Sequence, residues 1–132
     1  MKDDFVNVRN LDNFYQTSSY FPMPVVLVST VSESGQTNLG PYSLCFPYIV
    51  AGEHSMMLGT RADSNTSLNL QRTGICAINF LPDDKKYMRN CVMLGFPGET
   101  TAEKMQNNPF TLLPSTRGAD ERRSGVDYPE IV

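Results

Sequence analysis

The sequence predicts a mainly β domain with short helices (β+α), and three observations predict it. The first is "PVVLVSTVS" from Pro24, a near-continuous run of β-branched and apolar residues that reads as a core strand covered on both faces. The second is a pair of further short apolar segments, "HSMMLGT" (54 to 60) and "GICAINFL" (74 to 81), the latter introduced by glycine and ended by Pro82. The third is punctuation: nine prolines and nine glycines divide 132 residues into pieces too short for long helices. A chain of this length supports one core, so residues 1–132 are expected to form a single domain.

The elements follow in order. In the opening polar segment, "NLDNFYQTS" predicts a short helix capped by Asn10 or Asp12. After the core strand, "ESGQ" supplies a tight turn with Gly35 at the position suited to positive φ, and "TNLGPYSLCF" leads back as the second arm of a hairpin. "RADSNTSLNLQRTG" predicts a short helix capped by Asp63 or Ser64 and closed by Gly74. In "DDKKYMRNCVMLGF" the periodicity turns helical, with Tyr87, Met88, Cys91, Val92 and Leu94 on one side and Gly95 with Pro97 as the stop. Asp83 and Asp84 start that helix, and Met56, Met57, Met88 and Met93 read as core filler. Residues 98 to 125 read as irregular or weakly helical, with "STRGADERRSG" a mobile loop, and "VDYPEIV" as the entrance to another strand. The strands counted cannot close a barrel alone; either a partner supplies strands or residues are missing.

Composition excludes several function classes. A net charge of -3 with no basic run gives no footprint for nucleic acid or an anionic membrane. No stretch approaches ~18 apolar residues, and the N-terminus lacks the apolar run of a signal peptide. Three cysteines (Cys45, Cys76, Cys91) and a single histidine lack metal-ligand spacing, so no metal site is expected and a reducing, cytoplasmic setting is. His54 and Cys45 read as structural residues rather than as an acid, base or nucleophile.

Two stretches carry chemistry. "NLGPYSLCFP" (38 to 47) is a polar elbow: Pro41 is expected to turn the backbone away from the ladder, while Asn38, Tyr42 and Ser43 present hydrogen-bonding groups. The alternative reading is a β-bulge or edge-strand terminator. "TRADSNTS" (60 to 67) combines the forked cation of Arg61, the hydroxyls of Thr60, Ser64, Thr66 and Ser67, and the free amides of a helix start, which together suit a phosphate. Its alternative is an ordinary capped helix on a solvated surface.

The succession "PVVLVSTVSESGQTNLGPYSLCF", "HSMMLGTRADSNTSLNL" and "TGICAINFL", with the later "AEKMQNNPFTLLPS", resembles the flavin reductase-like family over residues 22 to 115. The resemblance implies the FMN-binding split β-barrel fold, FMN as cofactor and a homodimer with flavin near the subunit interface. It implies that Asn38, Pro41, Tyr42, Ser43 and Leu44 hold the ring, and Thr60, Arg61, Ser64 and Thr66 the phosphate. One departure stands out: family members often carry Lys-Asp-Thr where this chain reads Ser64-Asn65-Thr66. Losing one charge-assisted phosphate contact costs on the order of 1.5 to 3 kcal/mol, unless a partner-subunit arginine replaces it.

The function the resemblance implies is an oxidoreductase passing hydride from NAD(P)H to flavin and on to a small electron acceptor. No residue is assigned a catalytic role, because the cofactor itself accepts the hydride. Two alternatives stay open: a flavin-binding or electron-transfer module without turnover, and a cofactor-free split-barrel assembly subunit.

Overall fold

The run from Pro24 forms strand β1 (Val26–Val31) in a computed structural model that describes residues 23–96 and 98–114 and the backbone of 128–130. Val26 to Thr30 are all fully buried, as a strand covered on both faces requires. A five-residue loop follows, closed by Ser32, whose N–H donates to the Gln36 carbonyl and whose carbonyl accepts from Gly35 N at 3.0 Å. Gly35 takes φ 80°, the positive value that glycine allows without strain.

Strand β2 (Thr37–Tyr42) returns antiparallel, with Val31 opposite Thr37 and Val26 opposite Tyr42. Pro41 does not turn the chain out of the ladder as expected; it lies in register opposite Leu27. The reason is its place at the sheet edge. The order is β2-β1-β5, so among the described residues β2 pairs on one side only, and an edge strand tolerates a residue without an N–H. The break falls instead at Ser43 and Leu44, after which β3 (Cys45–Val50) leaves the sheet to pair with β4 (Glu53–Leu58).

That second hairpin turns on Ala51 (φ 50°) and Gly52 (φ 84°), two positive φ values in a two-residue loop, the type I′ pattern. The segment 45–50 is an additional strand, where sequence reasoning had only the end of a longer one. Strand β5 (Ala77–Phe80) completes the central sheet against β1, with Val26 opposite Phe80.

Helix α1 (Asn65–Thr73) is capped by Ser64, whose hydroxyl accepts from Ser67 N at 3.1 Å, and closes at Gly74 with φ 68°. Its inward face is polar: Thr66, Ser67 and Asn69 are buried while Leu68 is exposed. Arg72 ties its last turn to β1 by donating to the Val31 carbonyl. Helix α2 (Lys85–Leu94) is capped by Asp84 and buries Tyr87, Cys91 and Leu94. Met88 and Val92, expected on the same side, are exposed, because the buried stripe follows Tyr87, Cys91 and Leu94 at spacings of four and three and leaves both just outside it.

Residues 98–114 hold more order than expected. Thr100 and Glu103 form a reciprocal capping box at the start of helix α3 (Thr101–Gln106), and β6 (Thr111–Leu113) pairs with β7 (Tyr128–Glu130). The helix expected within "NLDNFYQTS" and the loop expected at "STRGADERRSG" lie outside the described residues.

Two apolar clusters flank β1, as its alternating side chains dictate. Leu27 packs with Leu39, Tyr87, Cys91, Leu94 and Phe110, and the Tyr87 and Phe110 rings stack at 6.3 Å. Val26 and Val28 pack with Cys45. Among the described residues the strands make three separate sheets of three, two and two strands, so no closed barrel forms. Phe46, Tyr48, Ile49, Val50, Met56 and Met57 of the β3–β4 hairpin are 40–63% exposed. Met56, Met57, Met88 and Met93 are 40–51% exposed and so are surface groups here, not core filler, because their strand faces and helix sides lie outside the two buried clusters.

Candidate functional site

The elbow strand and the α1 start meet through two sets of polar groups. In the first, Asn38 is fully buried and its amide donates to Thr30 and Thr66 hydroxyls, both at 3.2 Å. Asn69 Nδ2 donates to the same Thr30 hydroxyl at 3.1 Å, and the Thr101 hydroxyl donates to Asn38 Oδ1 at 3.5 Å. β1, β2, α1 and α3 are thereby tied at one point. Among the described residues no buried side-chain nitrogen or oxygen lacks a partner.

The second set is a cluster of three hydroxyls. Thr60 Oγ1 and Ser64 Oγ lie 2.7 Å apart, Thr60 donates to Tyr42 Oη at 3.2 Å, and Tyr42 Oη donates to Ser64 at 3.4 Å. Each hydroxyl both gives and takes, so the three can reorient toward a ligand without any atom being stranded.

These groups border an open cavity of about 330 Å³. Pro41 and Tyr42 form one wall, Arg61, Ser64, Asn65 and Thr66 a second, and Leu94 to Phe96 with Thr100 and Lys104 a third. Gly40 belongs to the first wall, where a Cβ would sit 2.8 Å from Thr66 Oγ1 and 2.8 Å from Tyr42 Cε2. Only a hydrogen fits there, and its use brings β2 against α1.

Four charged groups face the space: Arg61 and Lys104, Asp63 and Glu99. Asp63 grips Arg61 bidentately, taking Nε at 3.0 Å and Nη2 at 2.7 Å. That hydrogen bonding raises the Arg61 pKa and lowers the Asp63 pKa from their ordinary values. Asp63 is thus an ion-pair partner, and Ser64 alone is the helix cap. Lys104 is shifted the other way: burial lowers its pKa, and the attraction of Glu99 opposes this only in part. All three cysteines are free, and burial raises the pKa of each thiol.

Of the nine residues expected at the site, Pro41, Tyr42, Arg61, Ser64 and Thr66 border the cavity, and Thr60 joins it through the hydroxyl cluster. Asn38 stands behind the wall with its amide fully used inside the protein. Ser43 and Leu44 are exposed at the sheet break, where the Leu44 carbonyl accepts from Gly59 N at 2.7 Å. Sequence reasoning missed the third wall. Its signal was present in "TTAE", a capping-box pattern that marks the helix carrying Lys104. Among the described residues no group of three or more His, Cys, Asp or Glu side chains could hold a metal ion, and no helix is long and apolar enough to cross a membrane.

No family model and no curated protein matches the chain in sequence. Solved structures do match in fold. The chain is similar to nitrilotriacetate monooxygenase component B of Bacillus cereus, at TM-score 0.69 and 17% identity over 96% of this chain and 63% of that one. It is similar to 2-nitrobenzoate 2-nitroreductase of Pseudomonas fluorescens, at TM-score 0.67 and 20% identity over 88% of this chain and 52% of that one. It is also similar to flavoredoxin of Desulfovibrio vulgaris (Miyazaki F), at TM-score 0.64 and 18% identity over 86% of this chain and 56% of that one. The chain spans between about half and two thirds of the length of these structures. What they share with it is architecture: this β-rich chain with short helices has the flavin reductase-like split-barrel fold.

Proposed function

We propose that the chain is a flavin reductase-like oxidoreductase that binds FMN in the cavity between β2, the start of α1 and α3, oxidising NAD(P)H and reducing a second small acceptor. The observation that carries this reading is the convergence of Tyr42, Ser64 and Arg61 on one cavity, with Thr60 hydrogen-bonded to Tyr42 and Ser64 behind it, from segments 18 to 22 positions apart. Neighbours in fold include a flavoredoxin and a nitroreductase, which supports redox chemistry.

The residues present fit the group. A phosphate takes hydroxyl donors and a cation, and Thr60, Ser64 and Arg61 offer both. The first-turn amides of Asn65 and Thr66 have no intrahelical acceptor and add donors on the same wall. A flat ring takes apolar walls, which Pro41, the Tyr42 ring, Leu94 and Phe96 offer. Ser43 and Leu44, exposed at the sheet break, stand next along the chain to reach the ring edge. The bare Gly40 backbone leaves room for close approach.

When bound, FMN supplies the hydride acceptor, so the chain needs no acid or base of its own. Its residues would bind and orient: the hydroxyls and Arg61 would hold the phosphate end, and Pro41, Tyr42, Leu94 and Phe96 would hold the ring. The NAD(P)H and the second acceptor take the open side of the cavity in turn. In this reading the chain pairs with a second copy, and the exposed apolar β3–β4 hairpin is the surface that pairing covers.

Visible absorption of the purified protein, followed by FMN titration and anaerobic addition of NADH or NADPH, tests the reading. Yellow protein that bleaches with nicotinamide is expected. Flavin binding without bleaching leaves a carrier or electron-transfer module, and colourless protein with no heat of FMN binding leaves an assembly subunit. Sedimentation of the same sample tests the homodimer.

A further inference from the structure

Beside the cavity, on the outer side of α1, lies a second space of about 600 Å³. Ser32 to Ser34 of the β1–β2 turn form one bank, Leu68 and Arg72 of α1 form another, and the start of α3 closes the end. Two residues border both spaces: Asn65, the first residue of α1, and Thr100, the cap of α3. They form the partition between cavity and groove.

A hydrogen bond joins the two sides of that partition. Asn65 Nδ2 donates to the Glu99 carbonyl at 2.9 Å, which ties the start of α1 to the residue before the α3 cap. Each end is fixed separately: the Ser64 cap holds the first turn of α1, and the reciprocal capping box of Thr100 and Glu103 holds that of α3. Two helix starts thus face each other with an asparagine side chain clasped between them.

The partition bears on how long a ligand the site accepts. In the flavin reading the phosphate lies against Ser64 and the first-turn amides, directly beside Asn65. FMN ends there. FAD continues from that phosphate into a second phosphate, a ribose and an adenine, which call for hydrogen-bond donors and an apolar seat for the base. The outer groove offers both: the hydroxyls of Ser32 and Ser34, the guanidinium of Arg72, and Leu68, which is 53% exposed among polar neighbours. The clasp stands between the cavity and that groove.

We propose that the clasp of Asn65 on the Glu99 carbonyl sets the flavin specificity of the chain, admitting the mononucleotide and closing the route by which the adenylate half of FAD would reach the outer groove. The inference rests on FMN occupying the cavity, and it makes the Asn65 side chain a positioning group. Loss of the clasp therefore changes the ratio of the two flavin affinities.

Titration calorimetry with FMN and FAD tests this on wild type, Asn65→Ala, Asn65→Asp, and Asn65→Ala combined with Leu68→Glu, with thermal unfolding of each. Wild type is expected to bind FMN the more tightly. Asn65→Ala is expected to narrow the ratio roughly two- to tenfold by gaining FAD affinity, the scale of one hydrogen bond. Asn65→Asp keeps the shape of the side chain and has no N–H to give, and its charge burdens both ligands, so the ratio should narrow there too. Leu68→Glu puts a carboxylate in the outer groove, so the double variant should lose the gained FAD affinity and keep its affinity for FMN. Wild type that binds FAD as tightly as FMN, or an Asn65→Ala ratio equal to that of wild type, overturns the inference and leaves the flavin reading standing. A ratio that narrows in Asn65→Ala and not in Asn65→Asp assigns the effect to side-chain bulk and overturns the clasp. A gain in FAD affinity that survives Leu68→Glu overturns the route through the groove. Wild type that binds neither flavin overturns the flavin reading itself. Should Asn65→Ala not fold, Asn65→Asp carries the comparison.

Discussion

Asn38 and Thr66, 28 positions apart, are hydrogen-bonded at 3.2 Å in the interior, and this bond fastens the elbow strand to the start of α1. It replaces the apolar contact that usually docks a helix on a sheet. Leu68 points to solvent while Thr66 faces β2 and Asn69 faces β1, so α1 is held by a polar seam of Asn38, Thr30, Thr66, Asn69 and Thr101. A helix held this way has its register set by donor and acceptor geometry, which keeps Ser64 beside Tyr42.

Asn38→Ala is expected to be strongly destabilising. The substitution removes a partner from Thr30, Thr66 and Thr101 at once. Each buried hydroxyl left unsatisfied costs about 1–3 kcal/mol, so a total on the order of 3 kcal/mol is expected after partial relaxation. Urea denaturation followed by far-ultraviolet circular dichroism checks it; a change under about 0.5 kcal/mol, the range of an ordinary surface substitution, would show the seam to be dispensable.

Gly40→Ala tests the close approach of β2 to α1. The new methyl meets Thr66 Oγ1 and the Tyr42 ring at 2.8 Å each. The Tyr42 ring can swing away, but Thr66 is held by Asn38, so overpacking of about 1–3 kcal/mol is expected. Tyr42 swings toward the cavity, and FMN and riboflavin should weaken together. Denaturation midpoints and the two flavin affinities measure both consequences.

The parts of the fold that were legible in the sequence are those set by local chemistry. Gly35 announced positive φ, Gly74 announced the end of α1, Asp63 or Ser64 announced its cap, and the run at Val26–Thr30 announced a doubly covered strand. Two things were hidden. The turn at Ala51–Gly52 uses an alanine in a left-handed conformation, so β3 lacked the Asn-Gly signal that marks such hairpins. Pro41 read as a breaker because its tolerance depends on β2 being an edge strand, a fact of sheet order that no local window contains. The site divides the same way: Arg61, Ser64 and Thr66 lie within one motif, whereas Lys104 reaches the cavity only through the packing of α3.

The capping box at α3 predicts a pH dependence. The Glu103 carboxylate accepts from Thr100 N and Thr100 Oγ1, both at 2.8 Å, and these bonds hold its pKa below the ordinary carboxylate value. A group depressed on folding contributes stability that is present above its unfolded pKa, about 4.3 for glutamate, and is lost as pH falls through the folded value. Wild type and Glu103→Gln should therefore differ by a constant small amount in Tm near neutral pH, and converge below about pH 4. The carboxylate is solvent-exposed, so the difference should be modest. Thermal unfolding of both proteins across a pH series is the measurement.

Asp63→Asn asks whether the arginine at the cavity mouth is restrained by its own neighbour. Asp63 holds Arg61 through both Nε and Nη2, and its carboxylate also borders the cavity, where it repels a phosphate. Replacing the carboxylate with an amide frees the guanidinium and removes one negative charge. FMN should bind roughly two- to fivefold tighter, the scale of one exposed ion pair, while riboflavin is unchanged. Both groups are exposed, with side chains 66% and 70% accessible, so the gain should shrink as salt is raised. Weaker FMN binding in Asp63→Asn would mean instead that Asp63 aims Arg61 at the ligand. Paired FMN and riboflavin titrations at low and high salt separate the two outcomes.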